Sequence, residues 1–526
     1  MVNLKRILCG VVCCVMLLSS LSLGSCGNNG DDGKDTNNGI SGDAVSTDVP
    51  SALPENLNFE EADVNILIRD AYKTEFISEN TGAVIDSAIN RRNLIIEEKL
   101  GVKLNFIPQV ADTDNRDTNY LQGVKNMYLG GITPADGGYH IVTSHCTYGA
   151  TLAAEGVNYN LRSDVEENYL DLTKPWHNQS FVESNTLGNV LYYSVGDANI
   201  SAIDRSLVTY VNKTEADNNG LGDIDFIEVV NNNEWTLEYL KNLTKNIYVD
   251  KEGEGDRDEK DYYGLGIIKG SGNMDGILLG MGMRFSRHTS DGGLELCINS
   301  QRNEEIYSKL YDFYFNEVLG VRVYLPTFET SHDEYYGTDV AYYTDQMFYE
   351  NNLVFAFGLI ESARVFAKKS DIQYQILPLP KVDDIAEDYY TAAQVRYSTI
   401  SLLNSLSGTD LAVATATLEA LHEYSYRIVR PAYFDIAYKF RYASDATTAA
   451  LFDRIVENIT YDFVINNTNL MGNPYAIIRD SFIGSYGVTD GNYQPVKSMP
   501  TIWAAYGSSI TTNFEKLMDK YAGLSS

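Results

Sequence analysis

Strand-like and helical segments alternate along most of this chain, and that alternation limits the folds it can adopt. Residues 64–68 form an apolar strand-like run, and apolar side chains recur at helical spacing over 84–100. Gly101 supplies the left-handed stop that helices favour, and apolar residues alternate again over 102–106. A further helix and a strand over 140–146 complete a β-α-β-α-β unit. Strands separated by helices predict an α/β fold whose parallel sheet is covered on both faces.

The alternation continues downstream, and the last part of the chain is predicted to be mostly helical. The predicted strands lie near 189–196 and over 207–212, 262–268, 352–357 and 373–378. The predicted helices lie over 236–248, 302–318, 361–369, 410–426, 430–441, 444–458 and 508–522. A body of roughly 470 residues is too long for one small core and predicts two or three domains.

The amino terminus has the pattern of a secretory signal. Two basic residues precede an apolar segment over 7–23, which ends in the run Leu23-Gly-Ser-Cys26. This run resembles the lipobox of bacterial lipoproteins, whose cysteine carries a lipid anchor. We therefore predict a signal peptide over 1–25, lipidation of Cys26, and a disordered, polar tether over 26–58. An uncleaved membrane-spanning helix is the weaker alternative, because the apolar segment falls short of the ~20 residues a span needs.

The charge of the chain excludes some partners. The precursor has 72 acidic and 40 basic side chains, a net charge of −32. Without Lys5 and Arg6 in the signal segment the balance is 72 against 38, or −34. Such a polyanion is repelled by nucleic acid and by anionic lipid headgroups. Together with the lipid anchor, the negative charge predicts a hydrated protein body at the extracytoplasmic face of the bacterial cell membrane.

Only two cysteines, Cys146 and Cys297, lie beyond the signal segment and its cleavage site. Two cysteines make no disulfide framework, so we favour two buried free thiols, although a single pairing outside the cell stays open.

Several stretches, taken in order, resemble one family. They are Val64-Asn-Ile-Leu-Ile-Arg-Asp70, residues 90–106, Tyr169-Leu-Asp-Leu-Thr-Lys-Pro-Trp-His-Asn178, Asn233-Glu-Trp-Thr-Leu237, Ile376-Leu-Pro-Leu-Pro-Lys381 and Pro431-Ala-Tyr-Phe-Asp-Ile436. Together they resemble the extracellular solute-binding lipoproteins of ABC importers, in the carbohydrate-uptake group and its clostridial-type branch. The resemblance covers nearly all of the chain after residue 60.

The resemblance implies a two-lobed, periplasmic-binding-protein-like fold of type II, in which hinge closure clamps a ligand between discontinuous lobes. The implied boundaries are 59–200 with part of 380–430 for lobe 1, 201–379 with the helical part of 430–500 for lobe 2, 500–526 for a C-terminal helix, and crossings near 197–207 and 381–393. The implied partners are a carbohydrate ligand, permease subunits and a separate ATPase.

Ligands of open α/β sheets bind beyond the carboxyl ends of the strands, which points to a set of candidate ligand-binding residues. These are Arg69, Asp70, His145, Tyr148, Asp197, Glu361 and, less directly, Tyr397. The family resemblance adds Trp503 as a ring that stacks on the ligand, whereas Leu359 and Ile360 replace the aromatic residues that relatives often have. Aromatic rings suit the apolar face of a pyranose, and charged or amide groups suit its hydroxyls.

An acidic segment over 250–261 has the spacing of a calcium-binding EF-hand loop. The candidate ligands are Asp250, Glu252, Glu254, Asp256, Asp258 and Asp261, with Gly255 at the sixth position. Glutamates at positions three and five crowd a small loop. A structural calcium ion and a solvated acidic turn therefore both remain open.

The chain has no serine-hydrolase elbow, HExxH motif or P-loop, and we predict that it is not an enzyme. His145 and Cys146 are adjacent, so on a strand they would face opposite sides. The alternatives are a surface-anchored glycoside hydrolase, a binder of another solute such as a peptide, and an adhesin or scaffold.

Overall fold

The computed structural model describes residues 49–79, 81–110, 118–258, 260–268, 270–316, 318–324, 343–366, 372–386, 388–433, 446–484 and 495–524. The predicted signal peptide, Cys26 and the first part of the tether lie outside the described residues. None of the helices in these ranges has both the length and the apolar character needed to cross a membrane.

The described elements alternate as the sequence predicts. The strands are β1 Ala62–Arg69, β2 Val102–Gln109, β3 Ile141–His145, β4 Leu207–Asn212, β5 Tyr248–Val249, β6 Tyr262–Ile268, β7 Ser286–His288, β8 Leu294–Leu296, β9 Val321–Tyr324, β10 Leu353–Leu359, β11 Tyr374–Pro378 and β12 Ser398–Leu402. The helices are α1 Val84–Leu100, α2 Thr118–Leu129, α3 Cys146–Ala154, α4 Gln179–Asn185, α5 Ile200–Asp204, α6 Lys213–Asn218, α7 Phe226–Asn231, α8 Leu237–Thr244, α9 Ser271–Gly280, α10 Gln301–Phe315, α11 Tyr343–Tyr349, α12 Ala363–Phe366, α13 Gly408–Tyr424, α14 Ala446–Glu457, α15 Phe463–Asn466, α16 Pro474–Ile483 and α17 Met499–Leu524.

The first lobe is built on a four-stranded sheet in the order β12-β3-β1-β2. Strand β1 pairs in parallel with β2 and β3, whereas β12 pairs antiparallel with β3. Helix α1 connects β1 to β2 and ends at Gly101, whose φ of 58° is the left-handed conformation that glycine adopts most easily. Helix α13 packs on α1 and β1 and is almost wholly buried.

The second lobe is built on a six-stranded sheet in the order β11-β4-β10-β6-β5, with β9 also pairing with β6. Its central strands β4 and β10 are buried along their whole length, as expected for strands that are covered on both faces. Strand β10 runs parallel to β6 but antiparallel to β4.

The first two crossings between the lobes lie within the described residues. The chain leaves the first lobe through α5 into β4, and it returns between β11 and β12. The two crossing segments bond to each other: the Leu207 amide donates to the Ala392 carbonyl at 3.1 Å, and the Gln394 amide donates to the Arg205 carbonyl at 2.9 Å. A paired crossing of this kind gives a narrow hinge between two rigid sheets.

Three details differ from the sequence predictions. Both larger sheets are mixed rather than parallel, because each crossing brings in strands of the opposite direction. The segment 189–196 forms isolated bridges, including one between Ser194 and Ile400, instead of a strand. The predicted helix 430–441 lies largely outside the described residues.

The end of the predicted tether is packed against the body. Leu53 is 5% exposed, and the Ser51 hydroxyl donates to Glu423 at 2.6 Å. One buried leucine and a hydrogen-bonded partner offset the ordering entropy that the polar composition alone would leave uncompensated.

Candidate functional site

A cavity of about 670 Å³ lies where the two lobes meet, and we call it the interlobe cleft. From the first lobe it is lined by Arg69 at the end of β1, the following segment, the start of α1, and His145 at the end of β3. Helix α5 and Arg205 line it from the first crossing, Glu361 and Arg364 line it after β10, and Arg396 lines it before β12. The cleft therefore lies beyond the carboxyl ends of β1, β3 and β10, as the rule for open sheets requires.

His145 is a neutral group at the base of this cleft. Its Nδ1 accepts the Thr147 amide at 3.3 Å, which caps α3. Burial, together with the nearby guanidinium groups of Arg69 and Arg396, lowers the pKa of His145 to about 3. Arg69 lies over the Tyr72 ring at 5.3 Å, a cation–π contact that orients its guanidinium.

Glu75 connects both crossing segments to the first lobe. Its carboxylate accepts the Ser201 amide of α5 and the Ser398 hydroxyl of β12, each at 2.6 Å. Burial raises the pKa of Glu75 to about 7, although these hydrogen bonds oppose the shift. The positive charge of Arg92, which is also buried, stabilises the ionised form of Glu75.

Two arginines of the cleft are ion-paired across the junction of α5 with the second lobe. Arg205 pairs with Glu361 at 2.8 Å, and Arg364 pairs with Asp204 at 2.5 Å. Arg364 also donates to the Tyr433 hydroxyl. These pairs hold charged groups at the cleft in defined positions and leave them partly accessible to a ligand.

The structure brings together three of the predicted ligand-binding residues, Arg69, His145 and Glu361. Asp70, Tyr148 and Trp503 are half-buried, and none of them is among the residues that line the cleft. Tyr148 lies beside it, with its ring 5.2 Å from the His145 ring.

Tyr397 and Asp197 are placed differently from the prediction. Tyr397 lies in the core, where it is 3% exposed and donates to Asn466 at 2.6 Å. Asp197 lies on the far side of α5, in a second cavity.

Sequence reasoning missed several cleft residues, namely Tyr72, Glu75, Asp204, Arg205, Arg364, Arg396 and Tyr433. Asp204 and Arg205 lie inside the predicted crossing near 197–207, so the position of that crossing could have identified them as candidates. Glu75 and Tyr72 follow β1 in a short helix, Asp70–Glu75, that the apolar pattern did not reveal.

The second cavity, of about 290 Å³, is lined by the first crossing, by residues just before it in the chain, by Arg430 and by the end of α14, and we call it the back cavity. Asp197 is 8% exposed, and the nearest cation is Arg430 at 3.9 Å. Burial raises the pKa of Asp197 to about 6, although Arg430 opposes the shift. Beside the cavity, Glu419 accepts from Trp176 Nε1 at 2.7 Å and lies 2.8 Å from His177 Nε2.

The acidic loop keeps only part of the predicted calcium geometry. Among the described residues, Glu252, Glu254 and Asp258 bring carboxylate oxygens within 4.8 Å of one another. Asp250 instead accepts the amides of Gly253 and Gly255. Asp261 is buried and accepts from Tyr248, Lys251, Asp258 and Tyr263, so it closes the loop from inside. Three oxygen ligands at the loop surface suit calcium, but they fall short of the predicted set of six.

Both cysteines are free thiols, Cys146 buried and Cys297 half-buried. Cys146 begins α3 rather than ending a strand, so the prediction that it faces away from His145 is wrong: the sulfur lies 3.6 Å from His145 Nδ1. Burial raises the pKa of the Cys146 thiol far above its usual value, which keeps it protonated and a poor nucleophile.

Solved structures share this fold, although no family model and no curated protein sequence matches the chain. UspC from Mycobacterium tuberculosis matches with a TM-score of 0.53 and 12% identity, covering 86% of this chain and 100% of UspC. UgpB from the same organism, solved with glycerophosphocholine, matches with a TM-score of 0.52 and 12% identity, covering 87% of this chain and 100% of UgpB. The chain thus has the two-lobed, periplasmic-binding-protein-like fold of type II, which confirms the predicted fold class.

A third solved structure is the galacto-N-biose/lacto-N-biose I-binding protein of an ABC transporter from Bifidobacterium longum, determined in complex with lacto-N-biose. It matches with a TM-score of 0.48 and 11% identity, covering 88% of this chain and 98% of that protein.

Proposed function

We propose that this chain is the solute-binding component of an ABC importer, and that it captures a carbohydrate, an oligosaccharide, by closing its two lobes. The observation that carries the proposal is the interlobe cleft, which both lobes and the crossing helix line together. A ligand there would contact three parts of the chain that move relative to one another when a hinge bends. Its volume of about 670 Å³ lies in the range of small-molecule sites.

The chemistry of the cleft suits a hydroxyl-rich ligand. Arg205 and Glu361 present donors and acceptors side by side, a combination that binds neighbouring sugar hydroxyls in pairs. Tyr72 and Tyr433 supply rings at the walls. The sugar-complexed structural neighbour and the resemblance in sequence support the same class of ligand.

Membrane anchoring and delivery belong to the same proposal. A lipid on Cys26 would hold the body at the extracytoplasmic face, where permease subunits with a separate ATPase would accept the released solute. Globomycin treatment of expressing cells, followed by mass spectrometry of the amino terminus, tests the anchor: an unmodified mature Cys26 contradicts it.

We also propose that the chain binds its ligand without catalysis. The rival class, a glycoside hydrolase, needs two carboxyl groups that flank the bond, separated by roughly 5 to 9.5 Å. In the cleft, Glu361 and Asp204 are each held by an arginine, and Glu75 is held by two hydrogen bonds. The arginines occupy Glu361 and Asp204, and both oxygens of Glu75 accept hydrogen bonds, so these carboxylates have partners within the protein instead of being free for proton transfer to a substrate.

The decisive experiment incubates the purified body with glycan and peptide panels. Thermal shift and calorimetry should show binding of a glycan, and chromatography should recover that glycan intact. Glu361→Gln should weaken binding, whereas Glu457→Gln at the back cavity should not. Shortened glycans would show a hydrolase, and peptide binding without glycan binding would overturn the sugar assignment.

A structural calcium ion in the acidic loop remains a separate part of the proposal. Burial and the neighbouring carboxylates of Glu252, Asp250 and Asp258 raise the pKa of Glu254, and a divalent cation would relieve this repulsion. A calcium-dependent rise in melting temperature that Asp258→Asn removes would support it. An unchanged melting temperature in excess calcium would contradict it.

A further inference from the structure

We infer that the solute carries an anionic group, the carboxylate of an acidic saccharide, and that Arg69 and Arg396 hold this group beside His145 in the interlobe cleft. The inference rests on the proposed function, since it takes the cleft as the site of a saccharide.

The distribution of charge in the cleft is the first observation. The chain as a whole has a net charge of −32, yet the cleft lining includes four arginines, Arg69, Arg205, Arg364 and Arg396. Arginine is the side chain best shaped to bind a carboxylate through two parallel hydrogen bonds. The lining also contains five acids, and Arg205 and Arg364 are paired with two of them, so the attraction for an anion depends on the part of the cleft around Arg396.

The acidic residues that line the cleft have partners of their own. Asp204 and Glu361 are paired with Arg364 and Arg205, Glu75 accepts from Ser201 and Ser398, Asp86 accepts the amides of Glu79 and Thr81, and Glu79 lies 3.5 Å from Lys73. Arg364, Arg205 and Lys73 therefore neutralise Asp204, Glu361 and Glu79, whereas the hydrogen bonds to Glu75 and Asp86 occupy these carboxylates without removing their charge.

Arg396 supplies a positive charge in the cleft. It is exposed in the cleft, and within the described part of the chain no carboxylate lies within 4 Å of its guanidinium. The acid that feels its charge, Asp275, is 4% exposed and already paired with Arg479 at 2.8 Å. An arginine held at a binding site without an ion pair can form one with a ligand at a small reorganisation cost.

Arg69 and His145 lie near Arg396 in the same part of the cleft. The Tyr72 ring orients Arg69 from below, and the imidazole of His145 lies near the charges of both arginines. Burial and both guanidinium charges lower the pKa of His145, and a hydrogen bond with the backbone of Val395 opposes the shift. The neutral ring therefore marks a point of positive potential, and a bound anion at this point would raise the pKa of His145.

The test uses sugars that differ only in charge. Oligogalacturonides, oligoalginates and glucuronate-containing oligosaccharides are compared by calorimetry with their methyl esters, with neutral oligosaccharides of equal length, and with sugar phosphates. We expect at least one free acid to bind roughly tenfold tighter than its ester, the effect of one charge-assisted contact. That preference should shrink as ionic strength rises from ~50 to ~500 mM.

Two variants sharpen the test. Arg396→Gln should lose most of the preference for the free acid and leave binding of the ester within about twofold. The matched control is Arg287→Gln, an exposed arginine on β7 that lies outside the cleft lining. Nuclear magnetic resonance of the His145 ring should show its pKa rising when the acidic sugar binds, and not rising when the ester binds.

The outcomes separate this inference from the proposed function. Tight binding of neutral sugars with no preference for the acids overturns the inference and leaves the proposed function intact. Tighter binding of sugar phosphates than of uronates overturns the assignment of a carboxylate. No binding by any saccharide overturns the proposed function, and the inference falls with it.

Discussion

The interlobe cleft and the back cavity lie on opposite sides of one short helix, α5, and they hold charge in opposite ways. On the cleft side, Asp204 has a cation at 2.5 Å and Glu361 has one at 2.8 Å. On the back side, Asp197 is 92% buried, its nearest cation is 3.9 Å away, and no described donor hydrogen-bonds to its carboxylate. The cleft thus presents charges that are already oriented, whereas the back cavity contains a carboxylate that is costly to ionise.

This difference separates function from stability. A ligand that meets oriented charges loses little free energy to rearrangement, so substitutions in the cleft should change affinity more than stability. The buried charges around the back cavity should change stability and its dependence on pH, and leave affinity nearly unchanged. Four substitutions test whether affinity and stability depend on different regions, and they follow in order of expected effect.

The largest effect is expected from Glu419→Ala, next to the back cavity. Glu419 is fully buried and accepts from Trp176, His177 and the Asp171 amide. Its removal leaves these donors without a partner, and we expect a loss of roughly 3–5 kcal/mol in the free energy of unfolding. Urea denaturation measures the loss, and Glu457→Gln, 64% exposed at its side chain, is the control with less than about 0.5 kcal/mol. A loss below about 1 kcal/mol would show that these donors find other partners.

Glu75→Gln tests the one fully enclosed carboxyl among the described residues of the cleft lining, which connects the crossings to the first lobe. We therefore expect it to act on stability as the buried groups of the back cavity do. The folded-state pKa is about 7 against 4.5 for the exposed group, so the folded protein binds the proton more tightly. This contribution to stability is fully present below pH 4.5, declines as the pH rises towards 7, and stays lost above it. The total change is roughly 3 kcal/mol.

In the glutamine variant the amide oxygen can still accept the Ser201 amide, and the amide nitrogen can donate to the Ser398 hydroxyl. The variant has no charge to titrate, so its unfolding free energy should vary less between these pH values than that of the native protein. Denaturation at a series of pH values measures the difference in slope. Parallel curves for the two proteins would mean that Glu75 is not protonated in the folded state.

The sequence predicted much of this arrangement where a local pattern encodes it. Helix α1 has the predicted bounds because apolar spacing and Gly101 both mark them, and β4 over 207–212 does too. The rule for strand ends placed Arg69, His145 and Glu361 in the cleft. The rule failed for Asp197, whose side chain faces the back cavity. The side of α5 that this residue faces depends on how the crossing packs, and the local sequence pattern does not encode that packing.

Asp197→Asn tests the back cavity directly. Its folded-state pKa of about 6 exceeds the usual 3.8, so ionisation costs the folded protein stability as the pH rises from 3.8 to 6. Above pH 6 the asparagine variant should therefore be more stable, by roughly 3 kcal/mol, and near pH 3 the two should match. Asp256→Asn in the exposed loop is the control. A variant less stable than the native protein at pH 8 would show that the Arg430 ion pair outweighs the cost of burial.

The smallest effect on stability is expected from Arg205→Gln in the cleft, although its effect on affinity should be clear. The Arg205–Glu361 pair is 34% and 25% exposed at its two side chains, so screening limits its contribution to less than about 1 kcal/mol. The same guanidinium lines the proposed ligand site, and its loss should weaken saccharide binding roughly tenfold. Calorimetry and urea denaturation of the one variant give both quantities, and Arg302→Gln, paired with Asp383 away from the cleft, is the control. If Arg205→Gln lowered stability by several kcal/mol while affinity stayed constant, the cleft would resemble the back cavity, and the separation drawn between the two regions would be wrong.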